Sequence, residues 1–405
     1  MKQYKFITYI LSFLVLLGCI EPVELSTLSF DSNLVVQGQL TNEVKKHVIE
    51  LSRTIPIDST RLNPERNARV SITDNSGMTY IFQETNSGIY TSVNPFAAEQ
   101  NKQYTLNIET SNGQKYSSTE EALPEVSSIS NLNVGIETNN IENIQELTIK
   151  VDSNTSGAEG NYYRYEYEET YRIRTPVWHK EDLIIVSDTP PYEFELIDKT
   201  EEEYGIGFCY PEKKSKELLL TETFTLSQDQ VVGFPIRQIP VDSYIIGLRY
   251  SILVKQYILN RNTYDFYTLL NKFSDPDDIF SQTQVGNIPS NIASVSNPTE
   301  DNVIGFFEVS SVSSKRIFFN RTDYFDFSTP FTNYWELTFC VDAIYPLIQG
   351  PAGNSPLADR LNNGWIYFPD DEGSPPGGGP YRLIRRSCGE CSHLGVVNPP
   401  EYWID

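Results

Sequence analysis

Histidine is scarce in this chain of 405 residues, which contains only His47, His179 and His393. There is no H-E-x-x-H, no G-x-S-x-G and no P-loop, so the usual patterns of zinc proteases, serine hydrolases and nucleotide-binding proteins are excluded. We therefore expect no catalytic residues, no metal and no cofactor, and a protein that is not an enzyme. A hydrolase stays the less favoured alternative, because β-rich glycosidases bring two carboxylates together from distant strands.

Basic residues are also few, with 31 lysines and arginines against 54 aspartates and glutamates. The net charge is −23. An electrostatic field of this sign repels phosphate backbones, so we expect no nucleic-acid partner. We interpret the acidity mainly as a means of keeping the folded body soluble.

The N-terminal apolar run, residues 6–17, has only 12 residues and is too short to span a bilayer. It follows Lys2 and Lys5 and ends at Gly18 and Cys19, which is typical of a lipoprotein signal peptide. We expect residues 1–18 to be removed, Cys19 to be acylated and residues 19–32 to form a lipidated tether. Each buried methylene adds about 0.8 kcal/mol of membrane affinity, so several acyl chains anchor a protein almost permanently.

The residue after Cys19 is Ile20, where some bacteria place an Asp that keeps lipoproteins in the inner membrane. We therefore expect an outer-membrane location. Glu21 and Glu24 only partly match the acidic export tag of surface lipoproteins, because Pro22 interrupts the run. The periplasmic and the cell-surface faces both stay open.

Composition and periodicity predict a mainly β fold. Tyrosine (25) and phenylalanine (21) are abundant, and turn-forming residues interrupt the chain at short intervals. From Leu34 onward, apolar residues recur with a period of two, which indicates half-buried strands. The recurring residues are Val36, Leu40, Ile49, Leu51, Val70, Ile72, Ile81, Tyr104, Leu106 and Ile108. They predict a small immunoglobulin-like or prealbumin-like β-sandwich over residues 33–124.

Residues 125–405 predict a larger, β-sandwich-like domain with long loops. Leu147, Ile149 and Val151 alternate with polar residues and indicate a further strand. One segment differs, because apolar residues recur at helical spacing over residues 263–273, which predicts a short amphipathic helix.

Four cysteines remain besides Cys19: Cys209, Cys340, Cys388 and Cys391. An exported protein lies in an oxidising compartment, so we expect two disulfides. Separate pairing of Cys388 and Cys391 with the two earlier cysteines is favoured, because it would attach the C-terminal tail to the sheet. The alternative is a zinc site, but a second C-x-x-C pair is missing.

Tyr163, Tyr165 and Tyr167 lie at alternate positions and share one face of a predicted strand. Such a row can form a platform on which sugar rings stack. The commoner arrangement is a tyrosine-rich core, with the hydroxyls reaching its rim. Both interpretations stay open, and the core is preferred.

Short motifs along most of the chain resemble the DUF4249 lipoproteins of Bacteroidetes, a family of unknown function. The matching segments are residues 34–38, 48–54, 88–90, 104–106, 250–257, 286–289, 303–307, 315–319, 388–391 and 402–403. The resemblance implies an outer-membrane lipoprotein whose relatives are often encoded beside TonB-dependent receptors. It implies no catalytic residues.

The favoured hypothesis is therefore an accessory or binding lipoprotein that works with a TonB-dependent transporter or its cargo. An independent surface module that binds glycans or proteins is the alternative. In either case the small-molecule or glycan ligand is not identified by the sequence.

Overall fold

The computed structural model describes residues 32–56, 63–154, 161–201, 207–224, 229–274, 289–297, 302–326, 328–332, 340, 343–369, 373–391 and 397–405. The predicted signal peptide, Cys19 and all but the last residue of the tether lie outside these ranges. The described chain is mainly β-strand with few helices, which confirms the predicted fold class. Within these ranges, no helix is both long and apolar enough to cross a membrane.

The first eight strands form one sheet whose apolar side chains make a common core. They are β1 (Leu34–Thr41), β2 (Val48–Arg53), β3 (Arg69–Asp74), β4 (Thr79–Asn86), β5 (Ile89–Ser92), β6 (Gln103–Glu109), β7 (Lys115–Ser118) and β8 (Glu121–Ala122). The strand order is β1-β2-β5-β4-β3-β6-β7, and all of these neighbours are antiparallel. We call this unit the first sandwich.

The alternation of the sequence explains the core of the first sandwich. Leu34, Val36 and Leu40 of β1 are buried, as the period of two predicts. Ile81 is an exception, because Phe82 is the residue of β4 that faces the core and Ile81 is 61% exposed. The prediction of an inward Ile81 was therefore wrong by one position on this strand.

The later strands begin with β9 (Ser128–Asn139), β10 (Ile144–Asn154), β11 (Tyr162–Tyr171), β12 (Ile173–Arg174), β13 (Glu181–Ser187), β14 (Glu193–Asp198) and β15 (Phe208–Cys209). They continue with β16 (Glu212–Lys214), β17 (Leu219–Glu222), β18 (Gln230–Pro240), β19 (Arg249–Leu259), β20 (Ile292–Ser294) and β21 (Val303–Asn320). Two of them, β20 and β21, return to the first sandwich. β20 pairs with β7, and the first half of β21 pairs in parallel with β1.

The core of the first sandwich consequently includes Ile292, Phe307 and Val309. Gly305 makes the parallel pairing possible, because its φ is +110° and a Cβ there would lie 1.8 Å from the carbonyl oxygen of Val36. The first sandwich therefore contains late residues that the predicted division into 33–124 and 125–405 assigned to the larger domain.

The second sandwich consists of two facing sheets. One has the order β18-β10-β9, and the other contains β11, β19 and the second half of β21, with β16 and β17 along the edge of β11. Between them lies a core to which β10 contributes Leu147, Ile149 and Val151, as predicted. β21 runs through both sandwiches, so the two share one continuous 14-stranded sheet.

Helix α1 (Arg261–Ser274) follows β19, and begins two residues before the predicted start. Two further helices, α2 (Pro356–Asn362) and α3 (Arg386–Gly389), lie in the C-terminal region with β22 (Ala343–Ile344), β23 (Trp365–Tyr367) and β24 (Leu383–Arg385). β13 and β14 form a separate hairpin, whose Leu183 packs on this region.

Two disulfides hold the C-terminal region: one joins it to the core of the second sandwich, and the other closes within the region itself. Cys209 pairs with Cys391 and Cys340 with Cys388, with Cα–Cα distances of 5.3 and 5.6 Å. This confirms the predicted separate pairing. The bridges use all four thiols that the zinc alternative required, so that alternative is not supported.

Candidate functional site

The strand β11 separates two environments by simple alternation. Tyr163, Tyr165 and Tyr167 point into the second core, and their exposed fractions are 0%, 0% and 6%. Arg164 and Glu166 point the other way, toward the side of the β11–β19–β21 sheet that we call the outer face.

The three tyrosines are packed as core residues. The hydroxyl of Tyr163 donates to Asp229 (2.8 Å) and that of Tyr165 donates to Gln256 (2.9 Å). Burial raises the pKa of Tyr167 to about 12. A sugar platform needs exposed ring faces, which these rings lack, so the platform hypothesis is corrected in favour of the core interpretation.

A buried ionic cluster joins the outer face to the first sandwich. Nη2 of Arg164 lies 3.1 and 3.3 Å from the two carboxylate oxygens of Glu308 on β21. The same carboxylate accepts hydrogen bonds from Tyr267 of α1 (2.6 Å) and from Gln39 of β1 (2.9 Å). The guanidinium of Arg164 also stacks on Tyr257, 4.3 Å from the ring centroid.

Electrostatics keep this cluster charged although it is buried. The side chains of Arg164 and Glu308 are only 6% and 2% exposed. Burial alone would raise the pKa of Glu308, but the charge of Arg164 and the hydrogen bonds to the carboxylate lower it below its usual value. The cluster is therefore a fixed ion pair that connects β1, β11, β21 and α1.

Beside this cluster, an open pocket of about 250 Å³ lies on the outer face, and we call it the ionic pocket. One wall is the loop 215–218, which connects β16 and β17. Ser215 holds this loop against β11, because its backbone N–H donates to the Tyr167 carbonyl (2.8 Å) and its hydroxyl accepts from the Tyr167 N–H (3.0 Å). The charged lining residues are Arg164, Glu166, Glu168, Lys214, Lys216, Glu217 and Lys255.

Charges of both signs are paired inside the ionic pocket. Lys255 donates to Glu168 at 2.8 Å, and Lys214 lies 3.8 Å from the same carboxylate. Glu166 pairs with Arg164 and accepts from the hydroxyl of Tyr257 at 3.1 Å. The result is an array of paired donors and acceptors that is open to solvent.

The ionisation of Glu168 limits what the pocket can do chemically. Partial burial would raise its pKa, but the hydrogen bond from Lys255 and the charges of Lys255 and Lys214 lower it. A general acid at neutral pH needs a raised pKa, so Glu168 does not suit that role. In the parts of the chain that the structure describes, no group of three or more His, Cys, Asp or Glu side chains is placed to hold a metal ion.

The other sequence-predicted residues lie elsewhere. His47 is buried in the first sandwich, where its Nε2 lies 2.9 Å from the Phe96 carbonyl oxygen, and burial lowers its pKa. His179 is partly buried near the C-terminal region, 6.2 Å from the ring of Phe368. Cys19 and His393 are outside the described residues.

Sequence reasoning missed the ionic pocket although its signal was present. In the segment 162–171, tyrosines alternate with Arg164, Glu166 and Glu168. The alternation indicated two faces, and only the tyrosine face was considered as a binding surface. Lys214, Lys216 and Lys255 come from later elements, so only the fold brings them to this face.

Comparison with known proteins identifies one family. The model of the family described as "Domain of unknown function (DUF4249)" matches residues 20–316. This range includes the first sandwich, the strands β11 and β19 and all the described residues that line the ionic pocket. A search of curated proteins found no match to the chain.

Proposed function

The chain belongs to the DUF4249 family, and we propose that it is a non-enzymatic, lipid-anchored binding protein of the outer membrane. In this proposal, acylated Cys19 holds the protein at the membrane. The folded body then binds a TonB-dependent transporter or the cargo of that transporter. The proposal is supported by the lipobox, which is the sequence Leu16-Leu17-Gly18-Cys19 at the end of the predicted signal peptide, by the family resemblance and by the charged outer face.

The ionic pocket is the observation on which the binding role mainly depends. It presents lysine ammonium groups and glutamate carboxylates within a few ångströms of one another, at the surface of a β-sheet. Complementary charges of this kind increase association rates and determine which partner is accepted. An acidic protein that concentrates lysines at one pocket has a specific place for a charged or strongly polar partner.

The paired state of the carboxylates favours binding over catalysis. Glu166 and Glu168 each have a cationic partner, and the shifted pKa of Glu168 keeps it ionised. The Glu168 side chain can therefore accept hydrogen bonds from a partner without changing protonation. It is not prepared to deliver a proton to a leaving group.

Recovery of a receptor from the membrane tests the proposal directly. Tagged full-length protein is crosslinked in cells, extracted from detergent-solubilised outer membrane and compared with two variants. Lys216→Glu reverses an exposed charge of the ionic pocket, and Lys46→Glu reverses an exposed charge on the first sandwich. We expect wild type and Lys46→Glu to recover a TonB-dependent receptor. Lys216→Glu should recover roughly tenfold less, because the new carboxylate would repel the negative charge of the receptor surface that contacts the pocket.

Three other results would count against the proposal. Failure of the wild type to recover any receptor would contradict the transporter partnership. Equal recovery with Lys216→Glu would show that the ionic pocket is not the contact. Turnover of a glycan or ester substrate that disappears in Glu168→Gln would favour a hydrolase instead.

A further inference from the structure

A second cavity is lined by Arg172, which follows β11, and by residues that follow β21. Its volume is about 350 Å³, which is at the small end of the range for pockets that bind small molecules. The residues that line it include Arg172, Arg321, Phe325 and Phe331. We call it the arginine cavity, and its role does not depend on a transporter partner.

Arg321 is a buried cation with no carboxylate partner among the residues that the structure describes. It is only 8% exposed, and within the described ranges no Asp or Glu oxygen lies within 4 Å of it. Three of its N–H groups donate to the backbone carbonyls of Val241, Thr329 and Pro330. A guanidinium has five such groups, so the other two have no acceptor among the described residues.

The surroundings of Arg321 are unusual for a charged group. Its guanidinium lies 4.5 Å from the ring centroid of Phe325 and 4.6 Å from that of Phe331. Burial lowers its pKa, and the charge of Asp242 offsets this only in part. Burying a cation among aromatic rings and carbonyls is costly, and a bound anion would reduce that cost.

Arg172 supplies the second cation of the arginine cavity. Its Nη1 pairs with the side chain of Asp405 at 2.9 Å, and Asp405 is 73% exposed. Its Nε is buried and has no hydrogen-bond partner among the described residues. Among the described residues that line the cavity, Asp326 is the one carboxylate and Arg172 and Arg321 are the two cations.

We propose that the arginine cavity binds a small aromatic carboxylate. The carboxylate would accept hydrogen bonds from the free N–H groups of Arg172 and Arg321, whose fork geometry matches two oxygens. The aromatic body would lie against Phe325, Phe331 and Leu248, which form the apolar part of the wall. Charge and apolar surface are adjacent, so neither acetate nor a neutral aromatic molecule satisfies both.

Calorimetric titration with phenylacetate tests the proposal, with 2-phenylethanol as a probe of similar shape and no charge. Arg172→Gln removes one guanidinium, and Leu248→Trp fills the cavity while keeping both arginines. Arg174→Gln removes an exposed arginine that does not line the cavity and serves as the matched control. Unfolding midpoints of all variants are measured to show that each one is folded.

We expect saturable binding of phenylacetate by the wild type and Arg174→Gln, at least tenfold weaker binding by Arg172→Gln, and none by Leu248→Trp. 2-Phenylethanol should bind at least tenfold more weakly than phenylacetate. The proposal is overturned if phenylacetate does not bind the wild type at millimolar concentration. It is also overturned if the alcohol binds equally well, or if folded Arg172→Gln and Leu248→Trp bind like the wild type, since Arg321 would then only hold the surrounding loop.

Discussion

Replacing Arg164 by methionine should destabilise the protein far more than the loss of a surface ion pair would. The substitution leaves the carboxylate of Glu308 buried, with hydrogen bonds from Tyr267 and Gln39 but without its cation. Breaking a buried ion pair in this way costs about 3–5 kcal/mol. Folded proteins have only about 5–15 kcal/mol of stability in total, so the loss should be visible in any unfolding experiment.

A double variant separates the buried charge from the lost packing. In Arg164→Met with Glu308→Gln, the amide still accepts the hydrogen bond from Tyr267, and no buried charge is left unpaired, because Glu166, the other partner of Arg164, is 42% exposed. We expect the double variant to recover about 2 kcal/mol or more of the loss, since the largest cost is the uncompensated carboxylate. Arg69→Met is the control, because its arginine pairs with Glu109 at the surface and such pairs contribute about 0–1 kcal/mol.

The dependence on pH provides an independent check. In the wild type, the folded-state pKa of Glu308 is lowered, so the ion pair stabilises the protein above the unfolded pKa of about 4.3, and this contribution disappears as the pH falls through the folded pKa. In Arg164→Met, the unpaired buried carboxyl should have a raised pKa. The difference between wild type and variant should therefore shrink as the pH falls from 7 toward 5.

The assay is urea unfolding followed by circular dichroism at several pH values. A loss below about 1 kcal/mol for Arg164→Met would refute the reasoning, because that is the value of a surface pair. A loss that is the same at pH 5 and pH 7, or one that the double variant does not reduce, would show that packing rather than charge is responsible.

Three further predictions concern separate features. Cys19→Ser should abolish incorporation of labelled palmitate and release the protein from the membrane fraction, and unchanged fractionation would contradict the lipid anchor. Cys209→Ser opens a bridge with a sequence separation of 182 residues and should cost up to about 5 kcal/mol in the entropic model, measured as a lower unfolding temperature. Hydrogen bonds from Ser76, the backbone and Lys102 lower the pKa of Asp74 to about 2, so Asp74→Asn should cost about 1–2 kcal/mol at pH 7 and less near pH 3; a constant cost would contradict this.

The strands of the first sandwich could be predicted because alternation is a local property. Residues such as Val36, Leu51 and Ile72 repeat with the period of an extended chain, and each is buried where the pattern expects it. Ile81 shows the limit of this reasoning. Ile81 is strongly apolar, but Phe82 is the side chain that packs in the core. The position of Phe82 therefore determines which face of β4 is inward.

The charged outer face could not be predicted in the same way. Glu168 and Lys255 are 87 positions apart in the chain, and only the antiparallel register of β11 and β19 brings them together. Arg164 and Glu308 are separated by 144 positions and depend on β21 extending through both sandwiches. The oppositely charged partners give no local pattern, so neither pair could be identified from the sequence.

By itself, the sequence determined the properties that neighbouring residues carry: the lipobox prediction, the acidic charge, the alternating strands and the even number of cysteines available for bridges. Tertiary structure alone decided which face of β11 is buried, that β21 completes the first sandwich, and that Arg172 and Arg321 share one cavity. The physical reason is that periodicity specifies how a segment can bury its own apolar side. Contacts between distant segments instead depend on strand register, which follows from the packing of the whole chain.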